Sequence, residues 1–262
     1  MWRALVILGA LMVGVPRTGL AQTASPPPDE ARIRLDVNVG SGEPFSESRE
    51  FRSRFIVFSE AGSAFATYPK PSRENMFVDV GGSFNLNRQL GVGINYSRTS
   101  REEIAGLKAT IPHPTFYSAA ATSTGVTGQR LKHTEASTDF YLAIVPIRTR
   151  HMEWRLLGGP TIFSLSADMV NDVLYTQTYV PSSPQQTITI TGSTTSEVHS
   201  LDWGGHAATD FAYFPTRLVG VGAGVRFHYG TISIDEPLSQ LSQEIRAGGT
   251  TVYLGLRLRL AR

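Results

Sequence analysis

The chain has 262 residues, with 24 basic and 22 acidic side chains and no cysteine. Without cysteine, disulfide bridges, thiolate catalysis and cysteine-ligated metal sites are excluded. The nearly neutral charge balance, with no block of basic residues, gives no electrostatic support for nucleic-acid binding.

The first 21 residues predict an export signal. Arg3 supplies a positive start, residues 4–15 are apolar, and residues 19–21 (GLA) place small side chains at the −3 and −1 positions of a cleavage site. The apolar stretch is too short to cross a bilayer as a helix, which needs ~20 residues. Two of the 24 basic residues, Arg3 and Arg17, lie in this segment, so the mature chain has 22 bases and 22 acids. An exported chain without cysteine fits a bacterial envelope.

Residues 22–50 predict a periplasmic spacer and lead-in. The segment begins QTASPPPDEA, a proline-rich polar composition that does not pack into a core. The following RIRLDVNVG, Arg32–Gly40, alternates between polar and apolar residues. It is open to two interpretations: a lead-in, or an extra strand that pairs with a split Phe51–Tyr68 segment.

From residue 51 to the end, the sequence alternates with a period of two, which predicts strands with one apolar and one polar face. The last strand shows it most clearly, with leucine at every second residue and two arginines between them. Phe51–Tyr68 is the least regular strand. The eight predicted strands lie within Phe51–Tyr68, Met76–Leu86, Gln89–Ser97, Glu135–Ile144, Met152–Ser166, Asp202–Tyr213, Val219–Tyr229 and Thr250–Leu260.

The strand lengths and connections predict an all-β, transmembrane, up-and-down antiparallel β-barrel. Most of these strands match the ~9–11 residues of tilted membrane strands better than the ~5–6 of soluble ones. Short connections near residues 87–88, 148–151 and 215–217 alternate with long ones, as do the periplasmic turns and extracellular loops of outer-membrane barrels. Strand numbers in such barrels are even, so we favour eight strands, with ten as the alternative. A soluble lipocalin-like barrel, with its apolar faces inward, is the rival architecture.

In a membrane barrel the leucines face lipid and the polar faces point inward. An eight-stranded barrel is just wide enough for side chains to fill it. An isolated buried ion costs several kcal/mol, so the interior charges require partners. The predicted interior network comprises Asp79, Glu135, Asp139, Arg155, His206, Asp210, Arg226, His228, Arg257 and Arg259. Its acids and arginines are equal in number, although the pattern does not indicate which residues pair.

The last strand also resembles the C-terminal assembly signal of outer-membrane barrels, through Tyr253, Gly255, Leu258 and Leu260. It departs from that signal by lacking a terminal phenylalanine. VGVGAGVRFHYG and QLGVGINYS resemble strands of small bacterial outer-membrane barrels of the OmpA/OmpX kind. The resemblance implies an eight-stranded monomer without a periplasmic peptidoglycan-binding domain. Its expected partners are outer-membrane lipid and, during biogenesis, the barrel-assembly machinery.

Three functions follow as hypotheses. The first is a structural or surface-interaction role through the long extracellular loops, with an unknown extracellular ligand. The alternative is a narrow porin-like channel for small solutes. The third is a lipid-modifying enzyme, built on His206 and Asp210 with Ser137 or Ser166, although no GxSxG motif is present. We expect no cofactor, no metal site and no nucleic-acid partner.

Overall fold

The computed structural model describes residues 32–44, 49–68, 76–235 and 242–260. No helix in these ranges is long and apolar enough to span a membrane. The same ranges contain the strands β1 (Ile33–Pro44), β2 (Arg49–Val57), β3 (Glu60–Tyr68), β4 (Met76–Asn85), β5 (Leu90–Glu103), β6 (Gly106–Pro112), β7 (Ala120–Val126), β8 (Leu131–Arg148), β9 (Met152–Tyr179), β10 (Gln186–Tyr213), β11 (Val219–Asp235) and β12 (Ser242–Leu260).

Eight of these strands form a closed barrel. Each barrel strand pairs antiparallel with its two neighbours. The order around the barrel is β1, β4, β5, β8, β9, β10, β11 and β12. β12 closes the barrel on β1, from Ile33 opposite Leu260 to Pro44 opposite Gly249. The predicted eight-stranded antiparallel barrel is confirmed, and the ten-stranded alternative is wrong.

The first barrel strand is not the predicted one. The prediction that residues 22–50 are a spacer and lead-in, with the barrel starting at residue 51, is wrong because Ile33–Pro44 is a barrel strand. The predicted strand Phe51–Tyr68 is instead the hairpin β2–β3, outside the barrel. Its irregular alternation marks the turn, where Phe58 and Ser59 have φ values of 50° and 63°. The predicted signal peptide, residues 1–21, lies outside the described residues.

The two ends of the barrel differ in their connections. At the short-turn end, Leu86–Gln89, Thr149–His151 and Phe214–Leu218 join neighbouring strands, and both Ile33 and Leu260 lie there. At the long-loop end, β2 and β3 lie between β1 and β4, and β6 and β7 lie between β5 and β8. β9 and β10 continue beyond the barrel as one long hairpin of two 28-residue strands.

An outer module covers the long-loop end. We define it as the four-stranded sheet β2-β3-β6-β7 together with the outer parts of β9 to β12. The sheet contacts β9 and β10, and the two layers bury a shared apolar core. That core contains Ala105, Leu107, Ala109, Ile111, Leu131, Phe163, Leu165, Ala167, Met169, Val170, Val173, Ile188, Ile232, Ile234 and Ala247.

Candidate functional site

The outward face of the barrel is an apolar belt. On β12, Leu254 is 64% exposed while Arg257, on the opposite face, is 0% exposed. On β11, the outward side chains are apolar from Val219 to Tyr229, a span that matches the ~9–11 residues needed for a tilted membrane strand. The soluble-barrel alternative is wrong, because it requires these apolar faces to point inward.

Aromatic side chains lie near both edges of the belt. Trp154 and Tyr213 are exposed near the short-turn end, and Trp203 and Tyr229 are exposed near the long-loop end. Trp and Tyr favour the membrane–water interface because one part of the side chain is apolar and another is polar. The neighbouring Phe214, in the turn that follows β10, is by contrast fully buried.

The first interior cluster is centred on Arg34, a residue absent from the predicted network. Its buried guanidinium donates to three carboxylates, at 2.7 Å to Asp36, 2.7 Å to Glu153 and 2.5 Å to Asp210. Charge-assisted bonds of this kind offset the cost of removing the ions from water. Arg34 therefore ties together acids from β1, β9 and β10.

Two C-terminal arginines complete this cluster. Arg257 donates through Nη2 to the second oxygen of Asp210 at 2.5 Å, and Arg259 donates to the second oxygen of Glu153 at 2.7 Å. Arg259 also lies 3.5 Å from the ring centroid of Phe214, a cation–π contact. The contact between Phe214 and Arg259 therefore lies at the short-turn end of the lumen.

Arg155 is the least well paired member. It is buried, and it donates one hydrogen bond, to Ser83 at 3.0 Å. Its nearest carboxylate oxygens, on Glu153 and Asp36, are 3.7 Å and 3.9 Å away. The guanidinium carbon lies 5.9 Å from the centroid of the Tyr141 ring.

The second cluster is built around Asp79, which is fully buried. Asp79 accepts hydrogen bonds from Asn38 at 2.7 Å, Asn95 at 2.7 Å and Arg226 at 2.5 Å. Asn38 also accepts a hydrogen bond from Arg257, so it links the two clusters. One polar network therefore runs along the lumen.

Asp139 extends this network toward the long-loop end. It lies 3.4 Å from Arg226, binds His228 Nε2 at 2.9 Å and accepts from Thr161 at 2.9 Å. The Thr161 hydroxyl also lies 2.9 Å from His206 Nδ1. Beyond these residues, a cavity of about 110 Å³ borders His228 and Phe163. Phe163 already belongs to the apolar core of the outer module.

The structure brings together nine of the ten residues in the predicted network. The exception is Glu135, which lies nearer the long-loop end and pairs with His133 at 2.7 Å. The nine are Asp79, Asp139, Arg155, His206, Asp210, Arg226, His228, Arg257 and Arg259. The network also contains Arg34, Asp36 and Asn38, which the prediction missed. Their alternation with apolar residues in RIRLDVNV would have placed them on the inward face if that segment had been assigned as a barrel strand.

The residues of the hypothetical hydrolase site lie apart. His206 belongs to the second cluster, whereas Asp210 is held by the arginines of the first. Ser137 shares a hydrogen bond of 2.7 Å with Ser97, and Ser166 donates to Glu197. That hydrogen bond lowers the pKa of the exposed Glu197 carboxyl. The four residues therefore do not form a Ser-His-acid arrangement.

The residues of the predicted assembly signal divide between the two faces of β12. Tyr253 is buried between two arginines, with Arg226 at 5.1 Å and Arg257 at 5.9 Å from its ring centroid. A Cβ on Gly255 would lie 2.0 Å from a backbone oxygen of β1, so only glycine fits there. Leu258 and Leu260 belong to the outward belt. Recognition by the assembly machinery stays a prediction.

The outer module has the opposite arrangement of side chains. On β11, Thr231 and Ser233 continue the outward face beyond Tyr229, and both are exposed. Ile232 and Ile234 continue the inward face and are buried in the module core. The outward face therefore changes from apolar to polar at one level of the strand, while the inward face changes from polar to apolar.

Solved structures similar to this chain are outer-membrane and surface proteins of bacteria. The outer-membrane protein OprG from Pseudomonas aeruginosa has a TM-score of 0.46 and 7% identity, covering 89% of this chain and 98% of that one. The outer-membrane protease OmpT from Escherichia coli has a TM-score of 0.44 and 10% identity, covering 89% and 97%. Neisserial surface protein A has a TM-score of 0.40 and 12% identity, covering 87% and 97%. No protein-family profile and no curated protein matches the chain. The fold assignment rests on the strand pairing of the chain itself.

Proposed function

We propose that the protein is a bacterial outer-membrane barrel that anchors the outer module at the cell surface, where the module contacts an extracellular partner. The observation that carries this proposal is the reversal of side-chain polarity at the edge of the belt nearest the long-loop end. A belt that is apolar outward suits lipid, and a module with its own buried apolar core suits water. The short turns then face the periplasm and the module faces the outside. Lipid contacts, a monomeric state and delivery by the assembly machinery belong to the same proposal.

The packed interior favours an anchor over a channel. Buried ion pairs occupy the lumen from Arg259 to Asp139, and the apolar module core lies beyond them. An ion crossing this path must separate charge-assisted hydrogen bonds between buried groups. Slow passage of small solutes is the second candidate, and the cavity of about 110 Å³ is the observation in its favour.

The orientation can be tested by cysteine labelling, since the natural chain has no cysteine. Tyr117, which is 86% exposed in the outer module, and Gln89, exposed at the short-turn end, are each replaced by cysteine. We expect a membrane-impermeant maleimide to label Tyr117→Cys on intact cells and Gln89→Cys only after the outer membrane is permeabilised. Labelling of Gln89→Cys alone on intact cells would contradict the proposed orientation.

The surface-interaction role can be tested by removing part of the module. Glu103 and Leu131 face each other in neighbouring strands, so a two-residue glycine turn can replace residues 104–130. Cells expressing the intact chain are expected to adhere to immobilised extracellular-matrix proteins more strongly than cells expressing this variant. Heat-modifiable migration on detergent gels checks that both barrels fold. Equal adherence of both strains would contradict the interaction role.

The channel alternative is tested in planar bilayers. We expect the purified full-length chain to insert without producing stepwise conductance. Reproducible single-channel steps from the intact chain would favour the channel over the anchor.

A further inference from the structure

The cavity beyond the second interior cluster borders hydrogen-bonding groups that lack partners. It has a volume of about 110 Å³ and is lined by side chains of β4, β5, β8, β9 and β11. Two of its polar side chains, His228 and Ser137, are buried. A buried polar group without a partner costs free energy, so a space beside such groups is a candidate site for a polar ligand.

His228 has one ring nitrogen in use and one free. Its Nε2 lies 2.9 Å from Oδ1 and 3.0 Å from Oδ2 of Asp139, and it donates this hydrogen bond because a carboxylate only accepts. Nδ1 has no hydrogen-bond partner among the described residues, and in the neutral imidazole it is an acceptor. A hydroxyl group in the cavity can supply the missing donor.

Hydroxyl groups line the side of the cavity that lies across the barrel from β11. Ser97 on β5 and Ser137 on β8 share a single hydrogen bond of 2.7 Å, so one of their two hydroxyl protons has no acceptor within the described ranges. The hydroxyl of Thr99, also on β5, makes no hydrogen bond to any residue that the structure describes. The cavity therefore has an acceptor on one side and hydroxyl donors on the other.

The charged side chains that border the cavity are already engaged. Arg226 donates to Asp79 at 2.5 Å. Glu135 binds His133 at 2.7 Å, and Arg101 has a partner as well. The groups that remain available are neutral, so they favour a neutral ligand over an ion.

The size of the cavity and its aromatic side chains narrow the class of ligand further. A cavity of ~150 Å³ holds benzene, so a cavity of this size holds roughly four to six non-hydrogen atoms. Phe77 and Phe163 also border the space, and both are buried. Water beside these rings finds few hydrogen-bond partners, and replacing such water by the carbon atoms of a ligand gains affinity.

We propose that this cavity binds a small neutral polyol of the size of glycerol. One hydroxyl of the ligand donates to Nδ1 of His228, and another accepts from the Ser97–Ser137 pair. The carbon chain lies against Phe77 and Phe163. This inference goes beyond the display of the outer module, and it requires no passage of the solute through the paired ions toward the short-turn end.

The first test is saturation-transfer NMR with glycerol as the probe, on the full chain purified in detergent without glycerol. We expect a signal that titrates with a dissociation constant on the order of 1 mM, because a ligand of few atoms binds weakly. Glycine, acetate and methylammonium are zwitterionic, anionic and cationic probes of similar size. We expect them to bind roughly fivefold more weakly or less, because their charges lose water without gaining a free partner.

A second measurement locates the ligand at His228. Nitrogen NMR of the chain with isotope-labelled histidine reports on all six histidines. The signals of His228 are those missing from His228→Gln, a variant whose amide nitrogen can keep the hydrogen bond to Asp139. We expect glycerol to shift the Nδ1 resonance of His228 and to leave those of the other histidines unchanged.

Variants of the hydroxyl side test the contacts. T99V/S137A removes two hydroxyl groups with little change of shape, and we expect glycerol to bind roughly tenfold more weakly, the loss for one or two hydrogen bonds. S137L fills the cavity, and we expect it to abolish the glycerol signal. The control T189V/S233A removes the same groups from exposed positions in the outer module, and we expect unchanged affinity. Heat-modifiable migration on detergent gels checks that each variant folds.

Three results would overturn the proposal. A folded chain that gives no glycerol signal would show that the cavity takes up water only. Equal affinity of T99V/S137A and T189V/S233A for glycerol would place the binding elsewhere on the protein. Tighter binding of glycine, acetate or methylammonium than of glycerol would show that the cavity selects a charged ligand.

Discussion

The barrel belt and the outer module are built from the same long strands, yet they bury opposite kinds of side chain. On β11, Arg226 and His228 point into the barrel while Phe227 points outward. A few residues further on, Ile234 points inward and Ser233 points outward. Side chains keep alternating between the two faces from Arg226 to Ile234. We therefore attribute the exchange of polar and apolar side chains to the medium that surrounds each part of the strand.

That difference decides how each region is stabilised. In the module, water outside drives apolar side chains into the core, at about 25 cal/mol per Å² of buried apolar surface. In a belt surrounded by lipid, as proposed for this barrel, that driving force is absent, because a leucine gains little by moving from hydrocarbon to a protein interior. The interior is then stabilised by satisfied polar groups, and each ion depends on its partners.

The largest effect is expected from removing a shared carboxylate in the barrel. Asp210→Ala leaves Arg34 and Arg257 without the acid that joins them, and we expect it to lower the free energy of unfolding by about 3–5 kcal/mol. Urea unfolding in lipid vesicles measures the change. The control Glu197→Ala removes an exposed acid, and we expect it to leave the free energy of unfolding almost unchanged. Similar values for the two variants would contradict the role of the ion network.

A cavity in the module core is expected to act locally. Ile111 is fully buried, and Ile111→Ala should cost about 2–5 kcal/mol in the module. Hydrogen exchange is expected to accelerate in β6 and β7 while the amides of the barrel strands keep their protection. The exposed Lys108 on the same strand supplies the control, Lys108→Ala. Equal acceleration throughout the barrel would show that the two regions unfold as one unit.

An arginine scan along the outward face of β11 compares the two regions directly. Val225→Arg places a charge in the belt, and we expect a loss of about 2–4 kcal/mol in vesicles. Ser233→Arg places the same side chain on the same face in the module, where water solvates it, and we expect almost no loss. Equal losses of unfolding free energy for the two variants would show that the apolar belt does not end between Val225 and Ser233.

The smallest effect is expected at the boundary between the regions. Gly248 has a φ of 100°, and a Cβ there would lie 2.6 Å from the carbonyl oxygen of His228. Gly248→Ala should therefore cost about 1–3 kcal/mol in the same unfolding measurement. Gly205 pairs with Tyr229 from the other side, and a Cβ there would lie 3.6 Å from its nearest neighbour. A clear loss for Gly205→Ala, with none for Gly248→Ala, would contradict this explanation.

The alternating pattern predicted the barrel class and, for seven of the eight barrel strands, the face that carries the exposed apolar side chains. It placed Arg257 inward and Leu256 outward, because side-chain direction in a strand depends only on position along it. The same rule predicted nine residues of the interior network that the structure brings together.

The partners depended on the tertiary structure. Arg34 and Asp210 are 176 residues apart in sequence, and local pattern contains no information on which distant strands will face each other across a lumen. The first barrel strand could not be identified from the sequence for the same reason. Ile33–Pro44 and Phe51–Tyr68 both alternate, and the pairing of Ile33–Pro44 with β12 decides which of them belongs to the barrel. Alternation is a property of one strand, whereas closure of a barrel and neutralisation of a buried charge are properties of several.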